Sequence, residues 1–320
     1  MSILINYVLS FITTVVTTTI LIKKPLTLSI PSDRGLHNER TPSSGGIAIF
    51  FGLLLFADQF PNNIMYALLF STLIGFLDDR FSLSKTFRFL SQLVIALLVI
   101  LPNAEYSLII LFWIIFIIYF INIYNFMDGI DSLASIQSIY FIMSLALLYG
   151  FFPIITIPII AFLFFNITPA KIFLGNSGSY LLGTLLASYI FNMGYDFQYI
   201  NEIIIYTILL TIFLADATYT LLRRFIYKFK EQKSSFMDSM RYVTEPHCTH
   251  NYQILAKRYN NHGVVTLILM VYNIFWCLPL AYLISIGEQS LTESITFLLL
   301  SYFPYFIWCY KNKAGLPQKI

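Results

Sequence analysis

The chain has 320 residues, of which 58% are hydrophobic and 11% charged, with a mean hydropathy of +0.76. A soluble domain would carry about a quarter charged residues, so that class is excluded. Three cysteines far apart (Cys248, Cys277, Cys309) argue against a disulfide scaffold, and no stretch is polar enough for a second folded unit. A single membrane domain over residues 1–320 is expected.

Apolar runs punctuated by Gly, Pro and charge predict an all-α polytopic membrane protein with about eleven spans, or ten if one hairpin is re-entrant. They fall at about 4–22, 45–60, 64–77, 88–101, 107–121, 133–149, 152–165, 179–194, 202–221, 264–284 and 292–310. The first lacks a basic n-region and a small-residue cleavage site, and reads as a retained span. With the N-terminus outside, loops 23–44, 78–87, 122–132, 166–178 and 222–263 and the C-terminal tail lie in the cytoplasm. Those segments, with Arg88 at a helix start, hold all 19 Lys and Arg. The opposite orientation would violate the positive-inside rule throughout. Asp58, Glu105, Asp196, Glu202, Glu288 and Glu293 fall on the outer side, which leaves the inner face strongly basic. Topology and contact with anionic lipid explain most of that charge. They do not explain acidic residues set within it at helix ends.

In chain order, the loop before the second span carries Arg34, His37, Arg40 and a hydroxyl- and glycine-rich helix entry, 41–46 (TPSSGG), which suits phosphate. At the inner end of the third span, 75–80 (GFLDDR) places Asp78 and Asp79 beside hydrocarbon, where carboxylates need a reason. Adjacent residues point about 100° apart on a helix, so one can face a cavity while the other takes Arg80 or Lys85. A charged helix stop is the alternative.

The most specific segment is 122–131 (NIYNFMDGID). Asn122, Asn125, Asp128 and Asp131 recur every three positions and share a face locally. Such oxygens suit Mg²⁺ or a nucleobase; a polar interhelical clamp is the other reading. Segment 169–179 (PAKIFLGNSGS) opens the eighth span with Asn176 and exposed backbone amides, a natural anion site. Asp216 stands about two turns inside a span end, open between a pair with Arg223 and a role in a site. In 244–253 (TEPHCTHNYQ), Pro246 marks a helix start that puts His247 and His250 on one face at its positive end. Zinc lacks a fourth ligand there.

These motifs, in this order, resemble the polyprenyl-phosphate N-acetylhexosamine-1-phosphate transferases, glycosyltransferase family 4, which include the phospho-N-acetylmuramoyl-pentapeptide transferases. The likeness runs from about Arg34 to His262, most strongly in FINIYNFMDGIDSLAS and PAKIFLGNSGSYLLG. The segments RGLHNERTPSSGGIAI and HCTHNYQILAKRYNNHGVVT resemble the O-antigen-initiating branch; the murein branch would show a triple-His run. The resemblance implies transfer of sugar-1-phosphate from a UDP-N-acetylhexosamine-type sugar to undecaprenyl phosphate, with release of UMP. It also implies Mg²⁺, with Mn²⁺ as an alternative, and a multi-pass place in the bacterial inner membrane with the active site facing the cytoplasm. By position, Asp78 and Asp79 match the catalytic pair, with Asp131 joined to them. Asn125 and Asn176 match metal ligands. Asn122 and Asp128 match the nucleotide and phosphate segment, and His247 and His250 match the donor-diphosphate motif. Three positions depart: Asn176 stands where Asp is usual, Cys248 where Arg is usual, and Ser82 where some relatives have a third acid. Nucleic acid is not an expected partner; pairing into a homodimer is. A transporter or flippase is the rival reading, but it calls for midplane charges and paired broken helices. A catalytically weakened scaffold is the other, supported by Asn176.

Overall fold

The computed structural model describes residues 2–31, 39–101, 109–151, 153–194, 200–287 and 289–317. Arg34, His37, Glu105, Asp196 and Glu288 lie outside the described residues. The architecture is all-α. Among the described residues the one piece of sheet is a two-residue antiparallel ladder that joins β1 (Leu28–Ser29) to β2 (Thr41–Pro42).

Two compact units make up the chain, the first running to Ile203 and the second from Ile204, residues 31–38 aside. In the first are α1 (Ser2–Lys23), α2 (Gly45–Leu53, continued as a 3-10 turn to Gln59), α3 (Asn62–Phe81), α4 (Lys85–Ile100), α5 (Ile109–Met127), α6 (Leu133–Tyr149), α7 (Thr156–Asn166) and α8 (Gly175–Gly194). Then come α9 (Ile200–Leu209), α10 (Thr211–Ile226), α11 (Phe236–Val243), α12 (Asn251–Tyr259), α13 (His262–Tyr272), α14 (Leu278–Ile286) and α15 (Leu291–Lys311).

Three helical stretches among the described residues are long and apolar enough to cross a membrane alone: Leu4–Lys23, Ile109–Met127 and His262–Ile286. At 1.5 Å per residue, twenty residues span about 30 Å, the thickness of the hydrocarbon core. The predicted span 202–221 is broken instead. Here α9 and α10 meet at Leu210 with a bend of 79°, and count as a fourth candidate only if taken as one crossing. Large apolar side chains exposed along α1, among them Val8, Ile12, Val16 and Ile20, suit a lipid-facing surface.

Small residues let the helices of the first unit approach closely, as membrane helices require. The Cα of Gly75 on α3 abuts the backbone of Asn176 and Ser177, and Gly46 on α2 abuts Gly178. Amides of Gly45 and Gly46 donate to the carbonyls of Phe173 and Leu174 (3.1 and 3.0 Å), and the Phe173 amide to Pro42 (2.8 Å). The start of α8 is thereby pinned to the start of α2 and to the end of α3, where the acidic pair stands.

Candidate active site

Helix α3 ends where Ser82 turns left-handed (φ 51°), and α4 begins two residues later on an N-cap, Ser84, whose hydroxyl accepts from the Phe87 amide. Asp78 braces this turn. Its Oδ1 accepts from the Leu83 amide (3.0 Å), while its Oδ2 accepts from Asn176 Nδ2 (3.0 Å) and the Tyr180 hydroxyl (3.3 Å). Its cation is Arg88 at 3.5 Å, and not Arg80 or Lys85 as the sequence suggested; Arg80 donates to the Leu26 carbonyl (2.9 Å). Burial raises the Asp78 carboxyl above the ordinary value, against the pull of Arg88.

Asp79 is placed differently. Its Oδ2 accepts from the Ser177 amide at 3.4 Å, at the first turn of α8. Burial raises it to about 7, with the Asn176 and Ser177 amides opposing and the Asp78 charge adding a little. Gly175 makes this approach possible. Its φ is +71°, and a Cβ there would stand 2.5 Å from the Ser43 carbonyl and 2.7 Å from Asp79 Oδ2. Asp78, Asp79, Ser82 and Asn176 line one cleft of about 260 Å³ with Thr27, Leu28, Ser29 and Ser43.

The third contributor is the end of α5. Asn125 Nδ2 donates to Asn176 Oδ1 (2.6 Å) and to the Ser179 hydroxyl (3.0 Å), so Asp78, Asn176 and Asn125 form one hydrogen-bonded chain. The helix stops at Met127, which puts Asp128 and Asp131 in the following turn and not on a continuous helix face. Asp128 is raised well above its ordinary value by desolvation, and the nearby charges of Asp79 and Asp131 push it further. Asp131 Oδ2 accepts from the Ala170 amide (3.2 Å). Asn122, one turn back, forms a reciprocal amide pair with Gln92 of α4 (2.7 and 3.2 Å).

Among the described residues no three His, Cys, Asp or Glu side chains form a ready-made metal site. The gathered donors are all hard oxygens: carboxylates, of which Asp78 has Arg88 beside it, and two amides. Such a set fits Mg²⁺, which usually takes one or two carboxylates and completes its shell with water and substrate phosphate. It does not fit a soft, nitrogen- or sulfur-preferring ion.

The late histidine segment belongs to the second unit. Residues 246–249 are not helical, and α12 starts at Asn251 with His250 as its N-cap, so the helix start predicted at Pro246 is corrected. The two rings meet all the same, stacked at 4.9 Å and 25°. His247 is half-exposed and its Nδ1 faces the Thr249 amide (3.4 Å) and hydroxyl (3.0 Å). Desolvation pushes it down to about 2, helped by His250 and Arg224. Asp216 does not pair with Arg223, which bridges to Glu231 at 3.0 Å; it bonds His250 instead.

Residues 63–194, which contain the carboxylate–amide cluster, match glycosyl transferase family 4. Over that segment the chain is similar to this family. The chain is 26% identical over 264 residues to a probable undecaprenyl-phosphate N-acetylglucosaminyl 1-phosphate transferase of Bacillus subtilis (strain 168), covering 70% of this chain and 74% of the relative. It is 29% identical over 225 residues to an undecaprenyl-phosphate alpha-N-acetylglucosaminyl 1-phosphate transferase of Thermotoga maritima, covering 67% and 70%. A phospho-N-acetylmuramoyl-pentapeptide-transferase of Petrotoga mobilis is 32% identical over 194 residues, covering 48% and 62%.

Several residues of this site escaped the sequence reading. Asn166 is buried and ties the turn after α5 to the loop before α8. Its Oδ1 accepts from the Ser132 amide (3.1 Å) and the Ser135 hydroxyl (3.2 Å), and its Nδ2 donates to the Ile172 carbonyl (2.9 Å). Gln92, Arg88 and Tyr180 act on site residues from other helices. Gln92 was the most findable, since a primary amide within an apolar run has to find a partner.

Proposed function

We propose that the chain transfers N-acetylhexosamine-1-phosphate, or a 6-deoxy derivative, from a UDP-sugar to undecaprenyl phosphate. UMP is released, and the product begins a lipid-linked surface polysaccharide of the O-antigen type. The family and the two N-acetylglucosaminyl 1-phosphate transferase relatives support the reaction. The basic inner face supports an inner-membrane enzyme that meets its nucleotide sugar from the cytoplasm.

One observation carries the assignment within the site: of the adjacent carboxylates, Asp78 is occupied by Leu83, Asn176, Tyr180 and Arg88, whereas the donors to Asp79 among the described residues are the amides at the start of α8, and it lines the cleft. In the transfer, an oxygen of the lipid phosphate attacks the β-phosphorus of the donor. A new P–O bond forms, the bond to the bridging oxygen breaks, and UMP leaves with that electron pair. Asp79 orients the acceptor phosphate and takes its proton if it arrives protonated, a role its raised affinity for a proton suits. Asp78 holds the α3–α4 turn and, through Asn176, the start of α8. Asn125, Asn176 and Asp79 would hold Mg²⁺, with Asp128 and Asp131 beside them. A bound Mg²⁺ offsets the repulsion between two anionic substrates. Asn122 is assigned to the nucleotide segment, and the His247–His250 segment to the donor diphosphate, on the resemblance of their motifs.

The test is UMP release by the purified full-length protein in nanodiscs. Undecaprenyl phosphate and a panel of labelled UDP-sugars are supplied, with Mg²⁺ or with EDTA. Mg²⁺-dependent UMP release matched by a sugar-labelled lipid supports the reading. Sugar transfer accompanied by UDP instead of UMP would overturn it.

A further inference from the structure

Between Leu222 and Glu245 six Lys and Arg stand against three carboxylates, yet large apolar residues recur among them. Leu222, Ile226 and Phe229 follow at steps of four and three, along one face of the end of α10 and of the π-turn after it (Tyr227–Glu231). All three are exposed. The Phe225 ring carries this stripe onward, stacking on Phe229 and meeting Phe236 edge-on, each at 5.5 Å. On α11, Phe236, Met237 and Met240 are 58%, 68% and 46% exposed.

At about 100° per residue, these three fall within about 100° of arc on α11. Arg241 and Asp238 occupy the next arc, both exposed, while Ser239 is buried and Tyr242 turns toward α10. The pose of α11 is fixed as well. Arg224 Nη2 donates to the Tyr242 carbonyl, the guanidinium lies 4.2 Å from the centre of the Tyr242 ring, and Lys228 Nζ lies 5.5 Å from it. Both ends of α11 therefore meet the same stretch, residues 224–229. In a helix laid along α10, the six residues from Phe236 to Tyr242 would separate those contacts by about 9 Å. Helix α11 runs across the end of α10 instead.

Six exposed apolar side chains joined through Phe225 and rimmed by cations mark a surface that meets lipid or protein. The charges favour lipid. Lys230, Lys233 and Arg241 are exposed beside the patch, whereas Glu231 is bonded to Arg223 (3.0 Å) and Asp238 lies round the helix from Met240. A short helix with an apolar face bordered by Lys and Arg suits the plane of a bilayer interface. We propose that α11 and the π-turn before it lie in the headgroup layer and dock on anionic phospholipid. Phe236, Met237 and Met240 enter the acyl boundary, and Lys230, Lys233 and Arg241 hold the headgroup phosphates. This moves part of the loop 222–263 out of the cytoplasm and into the membrane surface, and it does not depend on the transfer reaction.

The full chain in nanodiscs tests the proposal, with bimane attached at Met240→Cys or, as the control on the polar arc, Asp238→Cys. Both are made with Cys248→Ser; the other two cysteines are buried. The discs contain phosphatidylcholine alone or with phosphatidylglycerol, plus lipid bearing a nitroxide near the headgroup or deep in the acyl chain. With phosphatidylglycerol, position 240 should be quenched by the shallow nitroxide and shielded from aqueous acrylamide, and position 238 should show the reverse. Lys230→Gln with Lys233→Gln should erase the gain from phosphatidylglycerol, since each lysine near an anionic surface is worth about a fivefold factor. Four results would overturn the proposal: equal acrylamide quenching at both positions, strongest quenching by the deep nitroxide, the same quenching in both lipids, or shielding of position 240 from acrylamide and nitroxide alike, which would place a protein partner there. The wild-type chain gives a readout free of substitutions. Hydrogen exchange of the amides of residues 237–243 should slow when phosphatidylglycerol is added, and unchanged exchange would contradict the docking.

Discussion

Asp79 and Asp216 are carboxylates near helix ends of one chain, and their surroundings are opposite. Asp216 is fully buried and bonded by side-chain or backbone donors at both oxygens. Asp79 has amide donors at one helix start, two like charges nearby, and a cleft in front of it. A saturated carboxylate holds structure together, while an under-supplied one stores repulsion that a cation or a phosphate-bound proton can relieve. Activity and stability should therefore respond in opposite senses at the two positions.

The largest expected effect is on turnover. Asp79→Asn should lower kcat by about 10²–10⁴-fold, the usual contribution of a positioned acid or base, without lowering the unfolding midpoint. A loss under tenfold in UMP release would remove Asp79 from the reacting centre. Asp216→Ala should instead lower stability. Stranding two helix amides, a histidine and a tyrosine hydroxyl costs about 2–4 kcal/mol, at roughly 1–3 kcal/mol for each buried group left unpaired and with partial relaxation. Thermal unfolding in detergent would measure it, and an unchanged midpoint would contradict the hub.

The sign of the pH dependence sharpens the contrast. A carboxyl raised from 3.8 to about 7 on folding makes the folded chain bind more protons than the unfolded chain between those values. Its contribution therefore becomes increasingly destabilising as pH rises through that window. In EDTA, Asp79→Asn should gain midpoint relative to wild type between pH 5 and 8. A constant difference would show that Asp79 is not crowded. Asn176→Asp tests the same crowding from its neighbour. It removes the amide that donates to Asp78 Oδ2 and adds a negative charge, so the metal-free midpoint should fall and added Mg²⁺ should raise it by more than in wild type. Equal Mg²⁺ shifts would contradict this. The smallest effect is expected for Gln92→Leu. Breaking its pair with Asn122 should cost about 0.6 kcal/mol, typical of a hydrogen bond between membrane helices, and should leave both KM values within a few-fold of wild type.

What the sequence disclosed, and what it hid, follows from the range of each interaction. The bounds of α6 matched the apolar run 133–149, because a polar turn through Asp131 and Ser132 marks its start and Gly150, left-handed at φ 72°, marks its end. Helix α5 ran on to Met127, beyond the predicted end at 121, because Asn122 and Asn125 look like loop residues until their partners on α4 and α8 are known. The break at Leu210 has no Gly or Pro to announce it. Pro246 suggested a helix start, but the amides that needed capping were those of Asn251 and Tyr252, and their acceptor lay 35 residues or more away in the chain. The acidic and amide positions were legible because polar atoms in a hydrophobic chain are rare and demand an explanation. Their division into reactive and structural members was not, because it depends on how many donors reach each oxygen.

The most direct measurement is single-turnover transfer by wild type and Asp79→Asn, side by side in nanodiscs, from a UDP-sugar labelled in both the sugar and the uridine. The prediction is one UMP per sugar-phosphate captured on the lipid in wild type, and almost none of either in the variant despite an intact fold. Equal transfer by the two proteins would contradict the assignment of the reacting centre to the cleft beside α3 and α8.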